Sequence, residues 1–160
     1  MEVLNEILEK VRAGLPPRRR AAGVPGIYVE DHQGRWSATG DPRIESARKH
    51  GPGEAIDATL PLAGDPVVVR ARPSAFDRST LEDLLQARGV RRVILTGQAT
   101  EQGILYSTLN ASVRRYQVVV QQDAVAAIDH SLAGAALRMM DGNMRAALSL
   151  ITISEPTRPY

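Results

Sequence analysis

The segment LTGQATEQGILYSTLNA, residues 95–111, has the pattern of a buried strand that ends in a tight turn and continues as a helix. In α/β proteins this layout commonly presents a nucleophile at the turn. The position where the nucleophile is expected is Gly103, which has no side chain and cannot form a covalent adduct. The chain also contains no cysteine, which excludes thiolate nucleophiles, disulfides and cysteine-bound zinc.

Polar and charged residues follow three predicted strands, and ligands of parallel sheets bind at such carboxyl ends. The three ends are Glu30–Asp31–His32, Arg70–Ala71–Arg72 and Gly97–Gln98–Ala99–Thr100. Arg70 is well suited to bind a carboxylate, because its guanidinium is planar, bidentate and permanently charged. The alternative interpretation, equally open here, is an ordinary surface arginine at a strand end.

Hydrophobic periodicity predicts alternating strands and helices of about 10–16 residues. Helices are predicted over 3–15, 18–23, 79–89, 100–115 and 129–142, and strands over 24–31, 64–71, 91–97, 116–124 and 146–154. This alternation predicts a single α/β domain over 1–160 with a parallel sheet and helices on both faces, a three-layer α/β/α sandwich.

Local signals specify the helix over 79–89 and the strand that follows it. Ser79 can cap the helix, Glu82 stands at the capping-box position, and Gly89 can close it. The strand over 91–97 is continuously apolar, which predicts burial on both faces.

Composition narrows the possible partners. The chain has 160 residues, 43% hydrophobic and 24% charged, with a net charge of +2. The arginines at 18–20 are interpreted as a solvated helix face, so no nucleic-acid partner is expected. No run reaches the roughly 18 apolar residues of a membrane span, and the N-terminus lacks the basic start of a signal peptide, which predicts a cytoplasmic protein. The three histidines lack metal-ligand spacing, and no metal or cofactor is expected.

Two longer stretches carry a resemblance to a known family. RPSAFDRSTLEDLLQARGVRRVILTGQATEQGILYSTLNASVRRYQVVVQQDAVAA, preceded by YVEDHQGRW and GDPVVVRARPSAF, resembles the isochorismatase-like hydrolases, also called the cysteine hydrolase superfamily. The resemblance covers about residues 15–145. It implies a Rossmann-like α/β/α fold and a homodimer or larger homo-oligomer.

The resemblance also implies a catalytic set that this chain lacks. Most members use an Asp after the first strand, a Lys after a middle strand and a Cys at the start of the helix. Here the Lys position is Arg70, the Cys position is Gly103, and no residue corresponds to the Asp. Members that cleave a vinyl ether also carry glycine at the Cys position, with the Asp as the acid. Asp31, His32 and Glu101 are the candidates for a relocated acid or base.

For each of these candidates, a solvent-facing turn residue is the other interpretation. Asp123 matches a strand-end Asp of the family and is interpreted as a structural carboxylate. The resemblance further implies a cis peptide between Gln98 and Ala99, which helps to aim backbone N–H groups at the ligand. The implied pocket is lined by Asp31, His32, Arg70, Phe76, Gln98, Ala99, Thr100, Glu101 and Gly103.

The family's first strand, central in its sheet, has no counterpart here. The apolar spacing over 3–15 is helical and has the wrong period for a strand. Either the sheet closes differently, or a partner chain completes it, or the true start lies upstream.

These features predict a catalytically degenerate protein that binds a small carboxylate or amide, or acts as an assembly partner. One alternative is an active hydrolase of a small cyclic or aromatic carboxylate, cleaving a vinyl ether or an amide with relocated residues. The other is a purely structural oligomer subunit.

Overall fold

The computed structural model describes residues 24–31, 61 and 64–150. The elements in chain order are β1 (Tyr28–Asp31), β2 (Val67–Arg70), α1 (Leu81–Ala87), β3 (Arg92–Gln98), a π-helical turn (Thr100–Ile104), α2 (Leu105–Val113), β4 (Gln117–Ala126), α3 (His130–Met144) and β5 (Ala147–Ser149). The predicted helices over 3–15 and 18–23 lie outside the described residues. Within the described part, none of the helices is long and apolar enough to cross a membrane.

The described strands form two parallel sheets. One pairs β1 with β2, and the other has the order β3–β4–β5. The strand–helix alternation therefore gives a mixed α/β fold with parallel strands, as predicted from the sequence. Helices α2 and α3 connect successive neighbouring strands and contact each other. They therefore lie on the same face of the β3–β4–β5 sheet.

Strand β4, rather than β3, is buried on both faces. Val118, Val119 and Val120 are each at most 8% exposed, and consecutive strand residues point to opposite faces. In β3, half-buried and exposed residues alternate, and Ile94 is 48% exposed. The prediction that both faces of β3 are buried is wrong, because β4 is the central strand of the described sheet.

The core lies between the sheet and its helices. Val120 of β4, Ala111 of α2 and Met140 of α3 are fully buried. The Thr108 hydroxyl is also fully buried and donates to the Met140 sulfur at 3.2 Å. This contact satisfies the one polar atom of a threonine that otherwise packs as an apolar side chain.

The hydrogen bonds at the start of helix α1 differ from those of the predicted capping box. Thr80 is the N-cap residue and its side chain makes no capping hydrogen bond, so the prediction that Ser79 caps the helix is wrong. From one position earlier, the Ser79 hydroxyl accepts a hydrogen bond from the Leu81 N–H at 3.3 Å. Glu82 does not return to the helix start; its carboxylate binds the Arg114 Nε at 2.7 Å. The capping-box prediction is therefore wrong, because Arg114 is a stronger partner for the carboxylate than a backbone amide. Gly89, with φ +62°, closes the helix as predicted.

Among the described residues, the three non-glycine residues with left-handed φ are all arginines. They are Arg78 (51°), Arg115 (64°) and Arg145 (55°). Arg115 and Arg145 lie at the ends of α2 and α3, where glycine adopts this conformation without the steric cost of a Cβ. Arginine is thus present at positions where backbone geometry favours glycine.

Candidate functional site

Arg70 and Gly103 meet at the carboxyl end of the strands, although 33 residues separate them in the chain. A Cβ placed on Gly103 would lie 3.3 Å from Arg70 Nη1 and 3.5 Å from Nη2. It would also lie 3.1 Å from the carbonyl oxygen of Gln98. The guanidinium therefore occupies the space next to Gly103, and a side chain at this position would have to displace it.

The turn between β3 and α2 is held by its own backbone. The peptide bond between Gln98 and Ala99 is cis, as the resemblance implies. The Ala99 carbonyl accepts hydrogen bonds from the N–H groups of Gln102 (3.1 Å) and Ile104 (3.0 Å). Two of the turn's N–H groups are thus already used within the turn.

Glu101 connects this turn to the start of α3. Its Oε1 accepts hydrogen bonds from the N–H groups of Ile128 and Asp129, both at 2.9 Å. Its Oε2 is buried and has no hydrogen-bond partner. A carboxylate that accepts two backbone hydrogen bonds suits a structural tether between this turn and α3.

Asp129 caps α3 beside this tether. Its Oδ1 accepts hydrogen bonds from the Ser131 hydroxyl (2.6 Å) and the Ser131 N–H (2.9 Å). The hydroxyl of Ser131, followed by its N–H, lowers the pKa of the Asp129 carboxyl below the usual 3.8.

Because the folded-state pKa of Asp129 is depressed, its contribution to stability is present above the unfolded-state pKa and is lost as the pH falls through the folded-state value. We expect NMR titration to show the Asp129 carboxyl ionising below 3.8. Ser131→Ala should return its pKa toward the ordinary value. An unchanged pKa in that variant would contradict the assignment of Ser131 as the cause.

The loop after β2 is fixed to α2 by hydroxyl and amide groups. The Ser107 hydroxyl accepts from the Ala75 N–H at 2.9 Å. The Ser74 hydroxyl accepts from the Asn110 side-chain amide at 3.0 Å and from the Phe76 N–H at 3.2 Å. These contacts, which the sequence did not indicate, position the chain that directly follows Arg70.

Phe76, a predicted pocket residue, is 5% exposed. Its ring centroid lies 5.9 Å from that of Tyr116, and the Arg114 guanidinium lies 5.3 Å above its ring. These contacts place Phe76 in the packing between the loop and the end of α2.

The structure brings some of the other predicted site residues to the same end of the sheet. Asp31 is the register partner of Arg70 at the end of the β1–β2 pair. His32 lies outside the described residues. Thr100 is buried in the turn at 2% exposure. Asp123 lies in β4 within the register shift that follows Val120, and it is half-buried.

The arrangement around Arg70 and Gly103 favours anion binding over nucleophilic attack. Gly103 offers no nucleophile, and Arg70 cannot act as a base in the accessible pH range. Among the described residues, no group of three or more histidine, aspartate or glutamate side chains could hold a metal ion.

The chain is similar to several proteins of known family. It is 27% identical over 125 residues to YaaI, an uncharacterized isochorismatase family protein of Bacillus subtilis, a match covering 78% of this chain and 69% of YaaI. It is 38% identical over 85 residues to the ureidoacrylate amidohydrolase RutB of Variovorax paradoxus, covering 53% of this chain but 32% of that protein.

Comparison with solved structures and the match to a family model both support the similarity to these relatives. The N-carbamoylsarcosine amidase of Thermoplasma acidophilum superposes with a TM-score of 0.72 at 24% identity, covering 98% of this chain and 88% of that one. The Bacillus subtilis nicotinamidase/pyrazinamidase PncA superposes with a TM-score of 0.70 at 19% identity, covering 91% and 85%. The model of the isochorismatase domain matches residues 2–152. The chain therefore belongs to the isochorismatase family.

Proposed function

We propose that this protein binds a small carboxylate at Arg70 without turning it over. The observation that carries the proposal is the Arg70 guanidinium, 3.3 Å from the Cβ position of Gly103. The resemblance puts the nucleophile of the family's hydrolases at the position of Gly103, and the proposal assigns the neighbouring cation to ligand binding instead. The guanidinium is planar and can donate two parallel N–H bonds to a carboxylate. Its Nη1 also donates to the Arg72 carbonyl at 3.3 Å.

The substrates named for the relatives support this ligand class. Ureidoacrylate and N-carbamoylsarcosine, from the names of two similar proteins, each carry a carboxylate. The match to RutB spans 32% of that protein, so its activity is not transferred. The chemistry that these two substrates share is a small molecule with a carboxylate group.

The second candidate is an active hydrolase of a small cyclic or aromatic carboxylate with relocated catalytic groups. Glycine at 103 is compatible with vinyl-ether cleavage, which needs an acid but no nucleophile. The tether of Glu101 to Ile128 and Asp129 weighs against Glu101 as that acid. Asp31, whose backbone is in register with that of Arg70, is the other candidate among the described residues.

Self-association is a further part of the proposal. Tyr106, Leu109 and Val113 are 44%, 44% and 72% exposed and follow each other at helical spacing on α2. An apolar stripe of this kind is suited to contact a second copy of the chain.

The test is binding of benzoate, with benzamide as its neutral counterpart, measured by calorimetry or ligand-observed NMR. Arg70→Ala is expected to weaken benzoate binding by about 10–100-fold, because a charge-assisted bidentate contact is lost. Arg72→Ala is the matched control, since this exposed neighbour lends only its carbonyl to Arg70. Equal binding of benzoate by wild type and Arg70→Ala would contradict the carboxylate site.

Hydrolysis distinguishes the two candidates. Nicotinamide and isochorismate are tested with the same preparations. We expect no turnover of either. Steady turnover that persists after repurification and is lost in Arg70→Ala would establish the active hydrolase instead.

A further inference from the structure

We infer that the amino-end edge of the β3–β4–β5 sheet binds the phosphodiester backbone of a nucleic acid. This surface lies at the end of the strands opposite to Arg70 and Gly103. It is formed by the amino-end arginines, which are Arg88, Arg91, Arg92, Arg115 and Arg145. All five are exposed.

The sheet register aligns these arginines along one edge. Arg92 of β3 pairs with Gln117 of β4, and its Nε donates to the Gln117 side-chain carbonyl at 3.1 Å. Arg145 is the left-handed C-cap of α3 and lies two residues before β5, which pairs with the other side of β4. Arg92 and Arg145 therefore lie at the amino ends of the two strands that flank β4. Arg91 directly precedes β3, Arg115 lies two residues before β4, and Arg88 is the C-cap of α1.

Few carboxylates offset this charge. Arg88, Arg91, Arg115 and Arg145 make no ion pair in the part of the chain that the structure describes. Glu82 is engaged by Arg114 at 2.7 Å. Asp141 is exposed and lies four residues before Arg145, which makes it the exposed acid nearest in sequence to these arginines within the described chain. Asp65 precedes β2, which belongs to the other sheet. Counting the described residues alone, arginine exceeds carboxylate at this edge.

Backbone conformation supports a role for the arginine side chains. Arg115 and Arg145 adopt left-handed φ values of 64° and 55°, where glycine is sterically preferred. Retaining arginine there costs conformational energy that the described contacts do not repay, since neither side chain has an ion-pair partner. A bound polyanion would supply the missing interaction.

Several exposed guanidinium groups at one edge suit a polyanion that carries repeated phosphates. Arginine binds phosphate through two parallel hydrogen bonds, and phosphates repeat along a nucleic-acid strand. The described residues of this edge offer one large exposed apolar side chain, Val113, and no exposed aromatic ring. That composition disfavours insertion into a membrane surface and base stacking. Binding is therefore directed at the backbone and is independent of sequence.

The sequence prediction of no nucleic-acid partner rested on the arginines at 18–20 and on the lack of a binding motif. The amino-end arginines are scattered between positions 88 and 145, and only the parallel pairing of the strands brings them to one edge.

The test is fluorescence anisotropy of the full chain with labelled mixed-sequence duplex DNA of about 20 base pairs and single-stranded RNA of equal length, at about 50 mM salt. Wild type is expected to bind, with affinity falling as salt rises. The Arg115→Gly, Arg145→Gly double variant should bind roughly tenfold more weakly to the preferred nucleic acid. For duplex DNA, the slope of log K plotted against log salt concentration should be smaller in magnitude by about 2 in this variant. Each arginine that is removed leaves about one counterion unreleased on binding. Comparing the two nucleic acids identifies the form that is preferred.

Glycine suits the left-handed backbone at both positions, so the thermal midpoint of these variants should not fall. The matched control is Arg78→Gly, which removes one arginine from a left-handed position (φ 51°) in the loop before α1, away from this edge. Arg78→Gly should bind nucleic acid as tightly as wild type. Arg115→Gly alone should bind it more weakly than wild type. No binding by wild type at low salt, or equal weakening by Arg78→Gly, would overturn the inference. Binding to phosphatidylserine vesicles or polyglutamate without binding to either nucleic acid would also overturn it.

Discussion

Gly103→Cys is expected to show no hydrolysis of nicotinamide or N-carbamoylsarcosine above the uncatalysed rate. A thiol at this position has no activating partner, because Arg70 remains protonated and cannot accept its proton. Residues of a catalytic unit act together, and loss of the unit typically lowers the rate by about a millionfold. Restoring a single member therefore recovers almost none of that factor.

The local geometry adds a second obstacle. The Cβ of a cysteine at 103 would lie 3.1 Å from the Gln98 carbonyl oxygen, which is backbone, and 3.3 Å from Arg70 Nη1. The guanidinium can move because it ends a flexible side chain, whereas the carbonyl can yield only by shifting the turn. We therefore expect Gly103→Cys also to weaken benzoate binding.

The matched control is Gly103→Ala, which adds the Cβ without the thiol. Both variants should lose benzoate affinity to a similar extent, as measured by calorimetry. Labelling with iodoacetamide reports whether the new thiol is accessible. Amide hydrolysis by Gly103→Cys, absent from Gly103→Ala, would show that a base activates the thiol and would refute the degenerate-site proposal.

Much of the fold follows from local sequence signals. The order of the described strands and helices was predicted, because β-branched runs and helical periodicity are strong over 64–150. Their bounds moved by a few residues; β4, for example, extends to Ala126. The errors arose where a distant partner decides the outcome. Glu82 was assigned to its own helix, but Arg114, 32 residues away, binds it.

Burial of β3 was misjudged for the same reason. Its continuous apolar sequence is compatible with burial on both faces, but the position of a strand within the sheet depends on its neighbours. The described sheet places β4 between β3 and β5, and β4 is the strand with two buried faces.

The candidate site was predictable in part. Gly103 and Arg70 were selected by the resemblance, and the structure brings them into contact. The role of Glu101 was not evident, because its partners are backbone N–H groups of Ile128 and Asp129, which carry no sequence signal. Contacts of Ser74 and Ser107 were missed for a related reason, since serine is common in turns and helices without such bonds.

Glu101→Ala is expected to destabilise the protein by about 2 kcal/mol, measured by chemical denaturation. The carboxylate accepts hydrogen bonds from the N–H groups of Ile128 and Asp129, which are both exposed residues. A net contribution of about 1 kcal/mol for each bond gives about 2 kcal/mol in total. Amide hydrogen exchange at Ile128 and Asp129 should accelerate, since their acceptor is lost.

Glu101→Gln and Gln102→Ala complete the test. Glutamine keeps an acceptor oxygen for the two N–H groups and places an amide where Oε2 has no partner, so it should lose only part of the stability. Gln102 is the exposed neighbour in the same turn, and its truncation should change stability by less than about 0.5 kcal/mol. Benzoate binding should weaken in Glu101→Ala but not in Gln102→Ala, because the tether fixes the turn that holds Gly103 against Arg70. If Glu101→Ala and Gln102→Ala were equally stable and exchanged equally at Ile128, Glu101 would not be the connection between this turn and α3.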